Sequence, residues 1–415
     1  MARRSLHIAW LGTAPLARET GGVAGVAADL QEGLAKLGHR IDCFVPGSER
    51  DVLPRIAEQP NVTIIWGTAA WRWNRWYSST RITAFASGLL ARGVGSVRQR
   101  RAVAQCHAQQ PYDVIYQFSS IESLSMPRRI RRSVPLVIHP ETHMAGELRW
   151  LMAERRLSLR SQPAYMFATA AAIMSLRRVV QRTRIRQARL LVCISAVFRD
   201  HLVADYGFRA DRTVVIPNPV RLERFAGLKR AVADPPTVLV LGRVAVRKGV
   251  EDVVTLARVL LAREVRARVR VVGGPSLFSD YTKLLEDLPR ENSEYVGHVP
   301  PAEIPSELAR ASVLLQPSKY EPFALTVAEG LAAGVPVVAT TEVGAAEQVD
   351  RSVAVQVAPG DLDAMADSIE EMLKRSRAAP QELAAKARAE AARLFAAGAV
   401  CARISDALED LIDKV

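Results

Sequence analysis

Short apolar runs alternate with helical segments along this chain, and the alternation starts over once. LHIAWLG (6–12), RIDCFVP (40–46), NVTIIW (61–66), YDVIYQF (112–118), VPLVIH (134–139), LLVCIS (190–195) and TVVIPN (213–218) read as strands. They are almost continuously apolar, as parallel strands covered on both faces must be. Between the first two, residues 22–37 have helical spacing and are stopped by Gly38. Residues 217–236, PNPVRLERFAGLKRAVADPP, carry breakers at both ends and little periodicity, which marks a linker. TVLVLGR (237–243), RVRVVGG (268–274), SEYVGHV (293–299), SVLLQPS (312–318), PVVAT (336–340) and VAVQV (353–357) then repeat the plan, and helical patterns close the chain near 362–373, 381–395 and 400–412. The pattern predicts two doubly wound α/β domains, 1–217 and 237–395, joined by a linker at 218–236. A ligand cleft is expected between the carboxyl ends of their strands.

Composition narrows the classes further. A chain of 415 residues suits two or three domains at roughly 100–200 residues each. With 49% hydrophobic and 24% charged residues it buries a large core, which excludes disorder, collagen and coiled coil as the main plan. Cys43, Cys106, Cys193 and Cys401 lie far apart with no C-x-x-C pair, against a disulfide scaffold or zinc ribbon and in keeping with a reducing compartment. No apolar run reaches the ~18 residues of a spanning helix. The nearest, 163–176, contains Ser and Thr. The opening MARRSLHIAWLGTAPLA reads as a first strand rather than a signal peptide, because His7 interrupts its apolar stretch.

The net charge is +13, and only eight of the 56 basic residues are lysines, a bias that a GC-rich genome produces. Residues 1–217 hold 31 Lys/Arg against 15 Asp/Glu, whereas 218–415 hold 25 against 28. Between Glu58 and Asp113 there is no acid but there are seven arginines and Trp66, Trp71, Trp73 and Trp76. A second acid-free stretch, from Glu154 to Asp200, has ten arginines. Arg with Trp suits an anionic membrane surface, an acceptor sugar or single-stranded nucleic acid, and a solvated face is the plain alternative. No nucleic-acid module is recognisable, which argues against that partner.

Four segments carry chemistry. In QPSKYEPFALTVAEGLAAGVPVVAT (316–340), Glu321 precedes Pro322 at the expected start of a helix, and Glu329 follows eight residues later. On one helix the two acids lie about 12 Å apart, too far for the ~5 Å pair of a retaining glycosidase, so they should hold different parts of one extended ligand. The N–H groups of Phe323, Ala324 and Leu325 are placed to hold phosphate oxygens. In LGRVAVRKGV (241–250), Arg243, Lys248 and a helix opening at Gly249 make a diphosphate site that needs no metal. Gly21 and Gly22 precede the first helix, and His139 ends a strand in VIHPETHM (137–144). The plain alternatives are a capped core helix, two surface cations, an ordinary helix start and a structural histidine.

In this order, the segments resemble retaining glycosyltransferase family 4, which has the GT-B fold of two Rossmann-like domains facing across a cleft. Glu321, Phe323, Leu325, Glu329, Ala332, Gly334, Pro336 and Val337 stand in register with its E-x7-E signature, while Ala324 replaces the usual Gly and Gly330 the usual Ala. The resemblance implies that Arg243 and Lys248 contact the donor diphosphate, Glu321 the donor sugar and Glu329 the ribose. It further implies that Gly21 and Gly22 form the first glycine-rich loop. His139 should touch the sugar from the first domain, with Glu141 or His143 near the acceptor. Gly273 and Gly274 should face the cleft, His298 and Val299 should cradle the base, and the C-terminal helix, about 396–415, should pack back on the first domain. Ser195 is expected as a helix cap and Glu347 as a structural acid.

The implied enzyme is a metal-independent, retaining transferase without a cofactor. A nucleoside-diphosphate sugar is its donor substrate, and a glycan, lipid-linked saccharide or secondary metabolite its acceptor. It is expected in the cytoplasm, with peripheral contact to the inner face of a membrane. Two alternatives stay open: another GT-B nucleotide-sugar enzyme such as an epimerase or a phosphorylase, and a non-catalytic partner subunit.

Overall fold

The computed structural model describes residues 4–12, 22–45, 52–66, 97–119, 126–161, 163–231, 233–275 and 280–414. Gly21, Trp71, Trp73 and Trp76 lie outside them. All thirteen expected strands form. β1 (His7–Gly12), β2 (Arg40–Phe44), β3 (Val62–Ile65), β4 (Val114–Phe118), β5 (Leu136–His139), β6 (Leu190–Cys193) and β7 (Thr213–Val215) make one sheet in the order β3-β2-β1-β4-β5-β6-β7. β8 (Thr237–Leu241), β9 (Arg268–Val272), β10 (Ser293–Gly297), β11 (Ala311–Gln316), β12 (Val337–Thr340) and β13 (Ala354–Val357) make the other, in the order β10-β9-β8-β11-β12-β13. Every pairing is parallel; Ile8, for example, sits between Ile41 and Val114. The strand order reverses between β1 and β4 and again between β8 and β11, and those two reversals are where doubly wound sheets open a ligand crevice.

Burial follows the apolar runs. All six residues of β11 are buried, as are all five of β4. In the first domain Trp10 stacks on Tyr116 and Phe118 under the helix Gly22–Lys36. The helix Ala397–Asp413 packs on that same helix, so closely that a Cβ on Gly33 would stand 2.3 Å from the Cys401 sulfur. The chain therefore passes between the domains twice, and the passages touch: Val220 N–H donates to Phe395 O at 2.8 Å. Ser195 caps the helix Ala196–Tyr206, accepting from Phe198 N–H at 3.1 Å. Among the described residues no helix is long and apolar enough to cross a membrane.

Candidate active site

The loop after β8 turns through Gly242 and a short 3-10 turn, Val246–Lys248, then enters the helix Val250–Ala262 at Gly249. Gly249 has φ +72°, and a Cβ there would lie 2.1 Å from Pro317 O. Only glycine lets this loop close on the turn after β11. That approach delivers Lys248 to Glu321, and the Lys248 ammonium contacts its carboxylate. Arg247 reaches the same carboxylate at 3.0 Å. Arg243, on the same loop, is exposed and has no carboxylate partner among the described residues.

Burial pushes the Glu321 carboxyl up, and the Lys248 and Arg247 charges more than reverse it, leaving the group below the ordinary range. Burial draws the Lys248 ammonium down; Glu321 opposes this, but the Arg247 and Arg243 charges add to it. One carboxylate is thus shared by two cations with a third nearby. Arg247 also holds Glu147 at 2.8 Å, so three cations face two carboxylates, and the surplus positive charge attracts an anion.

The donor-side helix begins later than the sequence implies. Pro322 is not its first residue; the helix is Leu325–Ala332, and Ala324 is its cap with φ +75°. Pro322 and Phe323 are held out of the helix because the chain from Glu321 pairs with the turn after β12: Glu321 N–H donates to Glu342 O, Gly344 N–H to Glu321 O, and Ala345 N–H to Phe323 O at 2.7 Å. The N–H groups of Phe323, Ala324 and Leu325 have no protein acceptor among the described residues, as an anion site needs. The Phe323 ring is spent on the core, edge-on to Phe395. Glu329 lies on the helix, half-buried and 3.3 Å from Arg224, and burial raises its carboxyl despite that cation.

The remaining expected residues divide. Gly273 has φ +153° and crowds Gly242 O, so the β9 end and the β8 loop are locked together. Gly274 lies under exposed His298, and Val299 is buried. Gly22 opens the first helix opposite the donor helix, where an added Cβ would stand 2.8 Å from Leu325 Cδ1. His139 is fully buried, edge-on to the Tyr116 and Phe118 rings. Its Nδ1 lies 2.7 Å from the Tyr116 hydroxyl, and its Nε2 is 3.5 Å from Glu141. Burial drops the imidazole to about 3 and lifts the Glu141 carboxyl to about 8, although Asn218 donates to that carboxylate at 2.8 Å.

Sequence reasoning missed the closure between domains. Arg247 Nε lies 2.8 Å from Glu147 of the first domain, so one guanidinium joins Glu147 to Glu321. Tyr320 O–H is 2.8 Å from His143 Nδ1, and its ring fills the space a Cβ on Gly146 would need. His143 Nε2 is 3.2 Å from Asp205, and burial holds His143 near 3. Ser195 also donates to Pro322 O at 2.7 Å, and Glu347 accepts from Ala196 N–H at 2.7 Å and Val197 N–H at 3.2 Å. Arg247 and Tyr320 each stand one residue before an expected site residue, and that adjacency was the available signal.

Two doubly wound sheets with a cation cluster at the second switch point are the architecture of a GT-B glycosyltransferase. Residues 21–219 match the family described as glycosyl transferase 4-like domain, and 227–393 match glycosyl transferases group 1. The chain belongs to the family 4-type glycosyltransferases. It is similar to glycogen synthase of Mycobacterium tuberculosis, 29% identical over 49% of this chain and 52% of that one. The chain thus spans about half the length of the first curated relatives it matches. It is 27% identical to D-inositol 3-phosphate glycosyltransferase of Geodermatophilus obscurus, over 82% of this chain and 74% of the relative. Sucrose-phosphate synthase from Thermosynechococcus elongatus has the same fold at a TM-score of 0.67 and 21% identity, covering 99% of this chain and all of that one. So does Anabaena Alr3699/HepE, solved with UDP and glucose, at 0.62 and 19%, covering 98% of this chain and 100% of that one.

Proposed function

We propose that this chain is a retaining glycosyltransferase that moves a sugar from a nucleoside diphosphate to an acceptor hydroxyl without a metal. The observation that carries the reading is the cation-rich cluster of Arg243, Arg247 and Lys248 around buried Glu321, beside the unpartnered N–H groups of residues 323–325. The donor lies on the second domain. Lys248, Arg243 and those N–H groups neutralise the departing diphosphate, so side chains supply the charge that a metal supplies elsewhere. Lys248 then moves towards phosphate, which frees Glu321 to orient the sugar hydroxyls. Glu329 takes the ribose, and Gly274, His298 and Val299 border the base. Relatives and neighbours named for nucleotide-sugar chemistry support this donor class.

Retention follows a front-face path. The bond from the anomeric carbon to phosphate breaks, the bond to the acceptor oxygen forms on the same face, and the acceptor proton passes to the leaving phosphate. The protein brings no resident cofactor to this step. The closed domains exclude water. The acceptor lies on the first domain as a glycan, lipid-linked saccharide or small metabolite, and that domain's arginine excess favours an anionic or membrane-held one on the cytoplasmic face.

Thermal shift against UDP-, GDP-, ADP- and dTDP-sugars, with and without Mg²⁺, tests the reading. A metal-independent rise with one nucleotide, lost in Arg243→Ala, is expected. No rise with any of them sinks it. Product formed from donor alone would point instead to an epimerase.

A further inference from the structure

Eight large hydrophobic side chains are exposed among the described residues, and five of them fall between residues 152 and 179: Met152, Leu159, Tyr165, Leu176 and Val179. Three of these share one helix, Ala164–Ile185. That helix buries Ala170, Ile173, Gln181 and Ile185 against the first domain. Its opposite face carries Tyr165, Ala168, Ala172, Leu176 and Val179, all exposed, at steps of three and four residues. They form one apolar stripe about 21 Å long. Tyr165 and Val179, at its two ends, are 63% and 62% exposed. A stripe turned to solvent is the reverse of a globular helix, which turns such residues inward.

Its charge says what covers it. Arg178 and Arg182 lie one turn apart along one flank of the stripe, and Arg155, Arg156 and Arg160 are exposed on the adjoining helix, Arg155–Ser161. None of the five has a carboxylate partner among the described residues. No acid occurs between Glu154 and Asp200 at all. Apolar side chains in line with unpaired arginines fit the boundary between acyl chains and acidic headgroups. A second copy of this chain fits poorly, because the same arginines would face each other across the two-fold axis.

We infer that the exposed stripe Tyr165–Ala168–Ala172–Leu176–Val179, with Arg178 and Arg182, docks the first domain on an anionic lipid bilayer. This rests on the reading of the first domain as the acceptor side, and it deepens that reading by naming the surface and its partner. Docking there seats the enzyme beside acceptors held in the membrane, while the second domain takes its donor from solution.

The test is co-sedimentation of the full chain with vesicles of phosphatidylcholine containing about 30% phosphatidylglycerol. Binding is expected to these vesicles and not to pure phosphatidylcholine, and to weaken in about 0.5 M salt. The double variant Arg178→Glu/Arg182→Glu should lower the partition constant roughly tenfold or more. Leu176→Ser/Val179→Ser should lower it by a similar factor while the salt dependence remains. All four sites are solvent-facing, so both variants should keep the parent melting temperature and the parent nucleotide shift. That shift is read without vesicles, so failure of the donor reading and failure of docking are separate results. Docking at this face is overturned if the wild type ignores anionic vesicles or if both variants bind as it does. It is also overturned by a wild-type dimer that Leu176→Ser/Val179→Ser makes monomeric, or by RNA capture stronger than vesicle capture and lost in the arginine variant.

Discussion

The two sheets share the order of six strands, with β7 extending the first sheet, and differ in what lies at their strand ends. Beside the switch point of the second sheet stand Arg243, Arg247, Lys248 and Glu321, a charged cluster short of negative charge. Beside that of the first stand His139, Tyr116 and Glu141, where burial keeps the imidazole neutral and holds the carboxyl protonated up to about pH 8. The shared six-strand order thus supports opposite electrostatics. Topology opens a crevice at each reversal, and loop residues such as Arg243 and Lys248 decide whether it suits a diphosphate.

Lys248→Ala tests the charged half and should have the largest effect. Loss of one cation on the leaving group should cut kcat/KM by about 10²–10³, and loss of a partner of buried Glu321 should also lower the melting temperature. A loss of less than about threefold would move the diphosphate elsewhere. Glu141→Gln tests the neutral half. Glu141 has a raised native pKa, so its stability contribution is intact at acid pH and declines as pH rises from the ordinary carboxyl range towards 8. Glutamine should remove that decline, on the order of 2–4 kcal/mol between pH 5 and 9, as read by denaturant melts. His139 and His143 act in the opposite sense, since their lowered values cost stability as pH falls from about 6.5 towards 3.

Glu147→Ala cuts the guanidinium bridge between the halves. It should widen the cleft in small-angle scattering and raise KM roughly tenfold, about 1.4 kcal/mol, more than it changes kcat. An unchanged scattering profile would mean that closure is held by other bonds between the domains, among them Tyr320 with His143, Lys319 with Glu154, His201 with Glu342 and Glu347 with the capped helix. Ala324→Gly is the mildest change. The left-handed Ala324 costs about 1–2 kcal/mol, part of which glycine returns as unfolded-chain entropy, so a gain of about 0.5–1 kcal/mol is expected. A lower melting temperature would mean that its methyl, buried near the donor helix, contributes more packing than its backbone costs.

The central strands were readable because they are apolar runs covered on both faces, as in β4 and β11, and such runs leave a local signature. The loop glycines were readable for the same reason: Gly249 and Gly273 sit in backbone regions that few other residues enter. The start of the donor helix was misread because Pro322 is a favoured first residue, and nothing local reveals the bridge from Glu321 to Val343 that holds it outside. Ala324 hides its positive φ behind a residue type that rarely takes one. His139 ends its strand as expected, but the direction its ring faces depends on which layer covers that side of β5. Glu147 and Arg247 stand far apart in sequence, and no periodicity links them.

The helix Ala397–Asp413 packs on the helix Gly22–Lys36, with Cys401 set against Gly33 and the Asp29 and Leu30 carbonyls. That face of the helix Gly22–Lys36 cannot receive its native cover until translation has passed residue 413, after the second domain has been made. The first domain is therefore completed by a helix that is made after the second domain. Until then the helix face that takes Cys401 is exposed to whatever is nearby, and a chaperone that acts on this chain should bind there and leave when the helix Ala397–Asp413 arrives.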